Sequence, residues 1–176
     1  YIDVDPQALF LLRMCFETRW VLDDWWNKAY PDATGTARIS YGVVQSYMED
    51  GKKIPAYTYI PGLYERSAQH NNQNPYDLAP SWVAAKASLD PKTPFNFVST
   101  NDIVGGNSGS AVVNKKGEVV GLVFDGNIQS LPGYIIYQED INRAVSVDSR
   151  LIIEGLRKVY KADRVADEIA GPAKKK

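Results

Sequence analysis

One cysteine, Cys15, and one histidine, His70, are all that the 176 residues hold of those two types. A single thiol excludes an intrachain disulfide. With Cys15 in an apolar helical stretch and His70 in a polar loop, no ligand spacing for a metal exists, so neither metal nor cofactor is expected. The default for Cys15 is a buried free thiol. No apolar run approaches the roughly 20 residues of a membrane-spanning helix. A signal-peptide pattern is also missing, but the chain opens Tyr1-Ile2-Asp3 and reads as part of something longer. Charge of either sign is not in excess: Lys plus Arg is 20 and Asp plus Glu is 21. That balance gives no electrostatic footprint for nucleic acid or an anionic membrane. The run Lys174-Lys175-Lys176 reads as a solvated tail.

What is present is a soluble-domain composition with 11 Tyr and 4 Trp. Asp5-Pro6 is a helix-start signal, and Leu12, Phe16 and Trp20 recur at helical spacing until Pro31. From Thr36 to Met48 the period becomes two: Ala37, Ile39, Tyr41 and Val43 alternate with polar or small residues, the pattern of a half-buried strand. Glu49-Asp50-Gly51-Lys52 is a turn, and residues 54–60 form the second arm of a hairpin. Residues 67–80 read as a surface loop, 81–89 as a short helix and 94–100 as a strand. Two β-branched runs, 110–114 and 118–124, flank the turn Lys115-Lys116-Gly117, and a further strand is expected near 133–138. From Asp148 the helical period returns until Gly171-Pro172. The fold class is mainly β and antiparallel, with helices at both ends.

The chemistry concentrates in Gly105-Gly106-Asn107-Ser108-Gly109-Ser110, between two strands. Acyl transfer needs a hydroxyl on a sharp turn and backbone N–H groups aimed at the developing oxyanion. Glycines before the serine let the backbone converge its N–H groups, and one after it removes an obstructing side chain. Ser108 is the candidate nucleophile, with the Gly106 and Ser108 N–H groups as the oxyanion hole. A plain polar turn is the competing reading. A serine nucleophile also needs a base, and His70 in its polar loop does not qualify. Asn101 and Asp102 precede the glycines, and Asp102 is not read as a triad acid.

Residues 95–127 (FNFVSTNDIVGGNSGSAVVNKKGEVVGLVFDGN) closely resemble the nucleophile region of the bacterial dipeptidyl-peptidase 7 and 11 family of chymotrypsin-clan serine peptidases, closest to the dipeptidyl-peptidase 7 type. The similarity extends through 30–42, 61–67 and 142–160. It implies the C-terminal half of a chymotrypsin-like double β-barrel: residues 1–30 ending an inserted helical domain, 31–148 the C-terminal barrel, 149–176 the closing helices and basic tail. It implies removal of N-terminal dipeptides, with the triad His and Asp upstream in a missing N-terminal half of the same polypeptide, and a full-length homodimer is compatible with it. A periplasmic, cell-surface or secreted location follows from the family. Asp125 matches an acidic residue that binds the substrate's α-ammonium, although Asp125-Gly126-Asn127 alone is also an ordinary turn. Gly126 matches a pocket position that is Arg in the acid-specific type, suited to Asp or Glu. Gly126 therefore implies an apolar preference at the second substrate residue. The alternatives are a non-catalytic peptide-binding module on the same scaffold or an inactive fragment that is poorly stable alone.

Overall fold

The computed structural model describes residues 37–134 and 136–170. The anticipated N-terminal helix to about residue 30, with Cys15, and the basic tail lie outside the described residues, as does the proposed end of an inserted helical domain. Two antiparallel sheets carry the fold. The smaller is the hairpin of β1 (Tyr47–Glu49) and β2 (Lys52–Ile54), in register Tyr47 to Ile54. Asp50 and Gly51, with φ of 47° and 75°, give the two left-handed positions such a turn requires.

The larger sheet has five strands in the order β3-β4-β7-β6-β5. These are β3 (Tyr57–Tyr59), β4 (Pro94–Ser99), β5 (Ala111–Val113), β6 (Val119–Gly126) and β7 (Ala144–Asp148). All pairings are antiparallel. The sheet does not close into a barrel among the described residues. Gly121 permits its centre to pack: a Cβ there would lie 2.5 Å from the Val147 carbonyl and 2.6 Å from the Phe97 ring.

Helices cover one region of this sheet: α1 (Ile60–Gln69), α2 (Pro80–Ala85) and α3 (Ser149–Glu154), the last continued by a wide turn over Gly155–Val159. Ile60, Ala85, Leu89, Leu151 and Val159 form the buried core, with Tyr64, Trp82, Phe95 and Val147 packed against it. Asp148 caps α3 by accepting from the Arg150 N–H at 2.9 Å and pairs with the Arg150 guanidinium at 2.7 Å. Glu154 ties α3 to the approach of β4, accepting from Thr93 Oγ1 at 2.6 Å and from Lys158 Nζ at 2.9 Å. Helix α4 (Asp163–Ala170) follows after Lys161 takes a φ of 55°.

Four expectations need correction. The alternating segment 36–48 is not a half-buried strand. Residues 37–46 hold a single bridge, Val44 to Ser99, and leave Ile39 and Tyr41 94% and 89% exposed, and only Tyr47 and Met48 enter a strand, β1. Nothing among the described residues covers its apolar side. Residues 54–60 split: β2 ends at Ile54, β3 is short, and α1, with Pro61 in its first turn, begins at Ile60 and runs to Gln69, into the expected loop 67–80. The strand expected near 133–138 does not occur among the described residues. Residues Ile128–Tyr134 form a 3-10 turn and the chain is irregular from 136 to 138. The missing strand is β7, ten residues further on, and it is the centre of the sheet. The C-terminal helical region is interrupted between Tyr160 and Ala162.

Candidate active site

Ser108 lies in the long turn between β4 and β5, exposed. The turn is built from short-range bonds. The Val104 N–H donates to Asn107 Oδ1 at 2.7 Å, the Asn107 N–H to the Val104 carbonyl at 3.2 Å, and the Ser110 N–H to the Asn107 carbonyl at 2.9 Å. Asn107 thus folds the loop into a knuckle with Ser108 at its tip. Gly106 and Gly109 have φ of 93° and 85°, values that side-chain-bearing residues rarely adopt. The knuckle is moored to β6: the Gly109 N–H donates to the Val123 carbonyl at 2.7 Å and the Val123 N–H to the Ser110 carbonyl at 3.0 Å. Among the described residues, neither the Gly106 nor the Ser108 N–H has a hydrogen-bond acceptor.

Ser108 Oγ donates to the Phe124 carbonyl at 3.3 Å. Phe124 is the extra residue of a β-bulge: Val123 pairs with Ser146 and Asp125 with Val145, so one residue of β6 has no partner on β7. Bulges re-aim the backbone beside functional sites, and this one turns a carbonyl to the candidate nucleophile. It also sets Asp125 and Gly126 next along the strand. Asp125 is exposed, and its Oδ1 accepts from the Gly126 N–H at 2.8 Å. Gly126 pairs with Ala144 at the end of β6. The structure thus gathers Ser108, Asp125 and Gly126 at one end of β6, with Gly106 in the same turn as Ser108.

His70 is elsewhere. It ends α1 and stacks on Tyr76 at 3.6 Å between ring centroids, with Arg66 over the same tyrosine. None of these contacts involves the Ser108 turn. Asp102 precedes the glycines, half-buried, and its backbone carbonyl accepts from Ser40 Oγ at 2.7 Å. Burial raises the Asp102 carboxyl above the ordinary aspartate range, against a smaller opposing hydrogen bond from the Ile103 N–H. Burial likewise raises the Tyr137 phenol, assisted by the Asp102 and Glu139 charges and opposed by Arg143. The tyrosine hydroxyl donates to the Thr100 carbonyl. No group of acidic, His or Cys side chains suited to a metal occurs among the described residues.

Three contributors escaped the sequence reading. Asn127 and Arg143 pin each other: the Asn127 N–H donates to the Arg143 carbonyl and the Arg143 N–H to Asn127 Oδ1, both at 2.9 Å. The Arg143 guanidinium is buried and has no carboxylate partner among the described residues. It donates to the carbonyls of Gln45, Ser46, Glu139, Asp140 and Asn142 over 2.6–3.2 Å. Ser130, in the turn after β6, bonds the Asn127 carbonyl. An Asn after Asp-Gly hints at a locked turn, but nothing in the sequence pairs it with residue 143.

An antiparallel sheet raises Ser108 on a glycine knuckle beside the bulged strand β6. The family model for peptidase S46 matches residues 18–171, and the chain belongs to that family. Dipeptidyl-peptidase 7 of Phocaeicola vulgatus is 36% identical over 146 residues, covering 79% of this chain and 20% of the relative. The Asp/Glu-specific dipeptidyl-peptidase of Shewanella putrefaciens is 34% identical over 171 residues, covering 80% and 23%. The crystal structure of Porphyromonas endodontalis DPP11 in complex with the dipeptide Arg-Glu matches with a TM-score of 0.69 at 28% identity, over 76% of this chain and 20% of that one. The chain therefore spans about one fifth of the length of the curated relatives it matches.

Proposed function

We propose that this chain supplies the nucleophile and the substrate-binding edge of a serine-type dipeptidyl-peptidase. Ser108 Oγ attacks the carbonyl after the second residue of a peptide, the Gly106 and Ser108 N–H groups stabilise the oxyanion, and water releases the dipeptide from the acyl-enzyme. The observation that carries the reading is the Ser108–Phe124 contact. It sets the nucleophile against the strand that continues into Asp125 and Gly126. Asp125 is exposed on the same strand, next after Phe124, where it can recognise a free α-ammonium, and Gly126 leaves the pocket wall without charge. The substrate class that follows is a peptide with an apolar second residue. The relatives carry both the type 7 and the Asp/Glu-specific names, so likeness alone does not choose between side chains, and Gly126 is what favours the apolar one.

The triad base and acid come, in this reading, from an upstream part of a longer polypeptide, as the family resemblance implies; His70 stacks on Tyr76, away from the Ser108 turn. The isolated chain is then inactive, because a serine without its base loses most of its reactivity. A periplasmic or surface location and a full-length homodimer accompany the reading from the family resemblance. No helix among the described residues is long and apolar enough to cross a membrane.

The test uses a polypeptide extended to the relatives' length. A fluorophosphonate probe labels the parent and not Ser108→Ala, and dipeptidyl substrates ending in Leu or Phe are cleaved faster than those ending in Asp. Equal labelling of Ser108→Ala removes the nucleophile assignment. Faster cleavage after Asp removes the apolar preference.

A further inference from the structure

Position 126 is kept bare by something other than its own backbone. Gly126 has no left-handed φ, so an L-residue could adopt its conformation. The obstacle is Ser130. A Cβ added to Gly126 would overlap the Ser130 hydroxyl and lie 3.3 Å from Ser130 Cβ, with the Arg143 carbonyl at 3.7 Å. That hydroxyl is held in place. Ser130 Oγ donates to the Asn127 carbonyl at 2.6 Å, and the Ser130 N–H donates to the same oxygen at 2.9 Å. Asn127 is fixed in turn by its two bonds with the Arg143 backbone and by its Nδ2 donating to the Ile141 carbonyl at 2.7 Å and to Gln129 Oε1 at 2.8 Å. The Ser130 hydroxyl can leave the space beside Gly126 only by giving up a bond to a carbonyl that is itself anchored.

We infer that Ser130 is a second specificity-determining residue: its anchored hydroxyl holds the volume next to Gly126 and bars any side chain from that part of the pocket wall. The inference rests on the reading of Gly126 as a pocket position. An Arg at 126 could pair with a substrate Asp or Glu, but its first carbon would meet the Ser130 hydroxyl before its guanidinium reached the pocket. Recognition of an acidic side chain therefore requires two changes, a cation at 126 and the loss of the hydroxyl at 130. The choice between apolar and acidic substrates belongs to the pair.

The experiment is a double-mutant cycle in the full-length polypeptide. Its readouts are the melting temperature and the ratio of kcat/KM for a dipeptidyl substrate ending in Asp to one ending in Leu. Gly126→Ala is expected to melt below the parent, and adding Ser130→Ala is expected to restore most of the loss. Gly126→Arg alone is expected to gain little on the Asp substrate. Gly126→Arg with Ser130→Ala is expected to raise the Asp-to-Leu ratio at least about tenfold over Gly126→Arg alone. A Gly126→Ala variant that melts with the parent, or a Gly126→Arg variant that switches as far as the double variant, overturns the role of Ser130. Rescue of melting by Ser130→Ala with no movement of the ratio in any variant means instead that position 126 does not face substrate. That result overturns the pocket reading, and the specificity role with it.

Discussion

At the scale of single residues, the site divides into groups that would touch substrate and groups that hold them. In the proposed function Asp125 is of the first kind. Replacing it by Asn in the full-length polypeptide is expected to reduce kcat/KM for substrates with a free amine by the equivalent of about 2–5 kcal/mol, the loss on removing one partner of a charge pair that bound substrate buries. The same change should leave N-acylated substrates unaffected, and steady-state kinetics on matched pairs measures the difference. Arg143 is of the second kind. Truncation to Ala leaves five backbone carbonyls without their donor and is expected to destabilise the fold by roughly 3 kcal/mol or more, read by denaturant unfolding. Asp102 makes a pH prediction. Because burial raises its folded-state value, the folded form holds a proton that the unfolded form has released. Its contribution to stability is thus present below the unfolded value of about 3.9 and is lost as pH rises through the raised folded value. Asp102→Asn should flatten that part of the pH–stability curve. Glu154 behaves in the opposite sense. Burial pushes it up, but hydrogen bonds from Thr93, the Asp90 N–H and Lys158 outweigh burial and hold it below the ordinary range. Its contribution is present above about pH 4.3 and is lost as pH falls through the lowered folded value. Glu154→Gln should remove that acid sensitivity.

At the scale of elements, what could be read in advance was local. The Asp50-Gly51 turn announced its hairpin, and Gly106 and Gly109 announced a knuckle, because a left-handed φ favours one residue type. The hairpin of β5 and β6 was equally plain in its two β-branched runs. Elements fixed by distant partners were not legible. In β7 the fully buried Ser146 and the capping Asp148 interrupt the apolar signal, and only the flanking strands β4 and β6 make its residues a strand. Helix α1 was hidden because Ile60-Pro61 reads as the end of a strand, whereas Pro at the first turn begins a helix just as well. Of the candidate site, Ser108, Gly106, Asp125 and Gly126 were visible through turn chemistry and resemblance. Ser130 and Arg143 were not, since their roles depend on contacts made across the fold. An element-scale prediction follows from Gly121, which has the Phe97 ring and the Val147 carbonyl against it. Gly121→Val is expected to destabilise by about 1–3 kcal/mol through overpacking, with the loss visible as a lower denaturation midpoint.

At the scale of the whole molecule, the described part has a modest core and an apolar edge without cover. Ile39, Tyr41 and Val43 alternate along an irregular segment and are 94%, 89% and 59% exposed. Such a strip is an association liability unless another part of the polypeptide lies on it. The isolated chain is expected to bind a hydrophobic dye and to melt over a broad range. Ile39→Ser with Tyr41→Ser should make it more soluble, yet destabilise the full-length polypeptide. A sharp cooperative melt of the isolated chain contradicts this.

The place of β7 in the sheet has a consequence for the order of events during synthesis. β7 is the last strand of the described chain to leave the ribosome, and it joins β4 to β6. Until residues 144–148 emerge, the halves of the larger sheet on either side have no common seam, and the bulge at Phe124 has no strand to bulge against. Pairings so far apart along the chain form late in folding. The contact between Ser108 and the bulged Phe124 therefore takes its final shape only after nearly all of this segment has been translated. Ser108 is thus in the chain well before the carbonyl it contacts has been set in place.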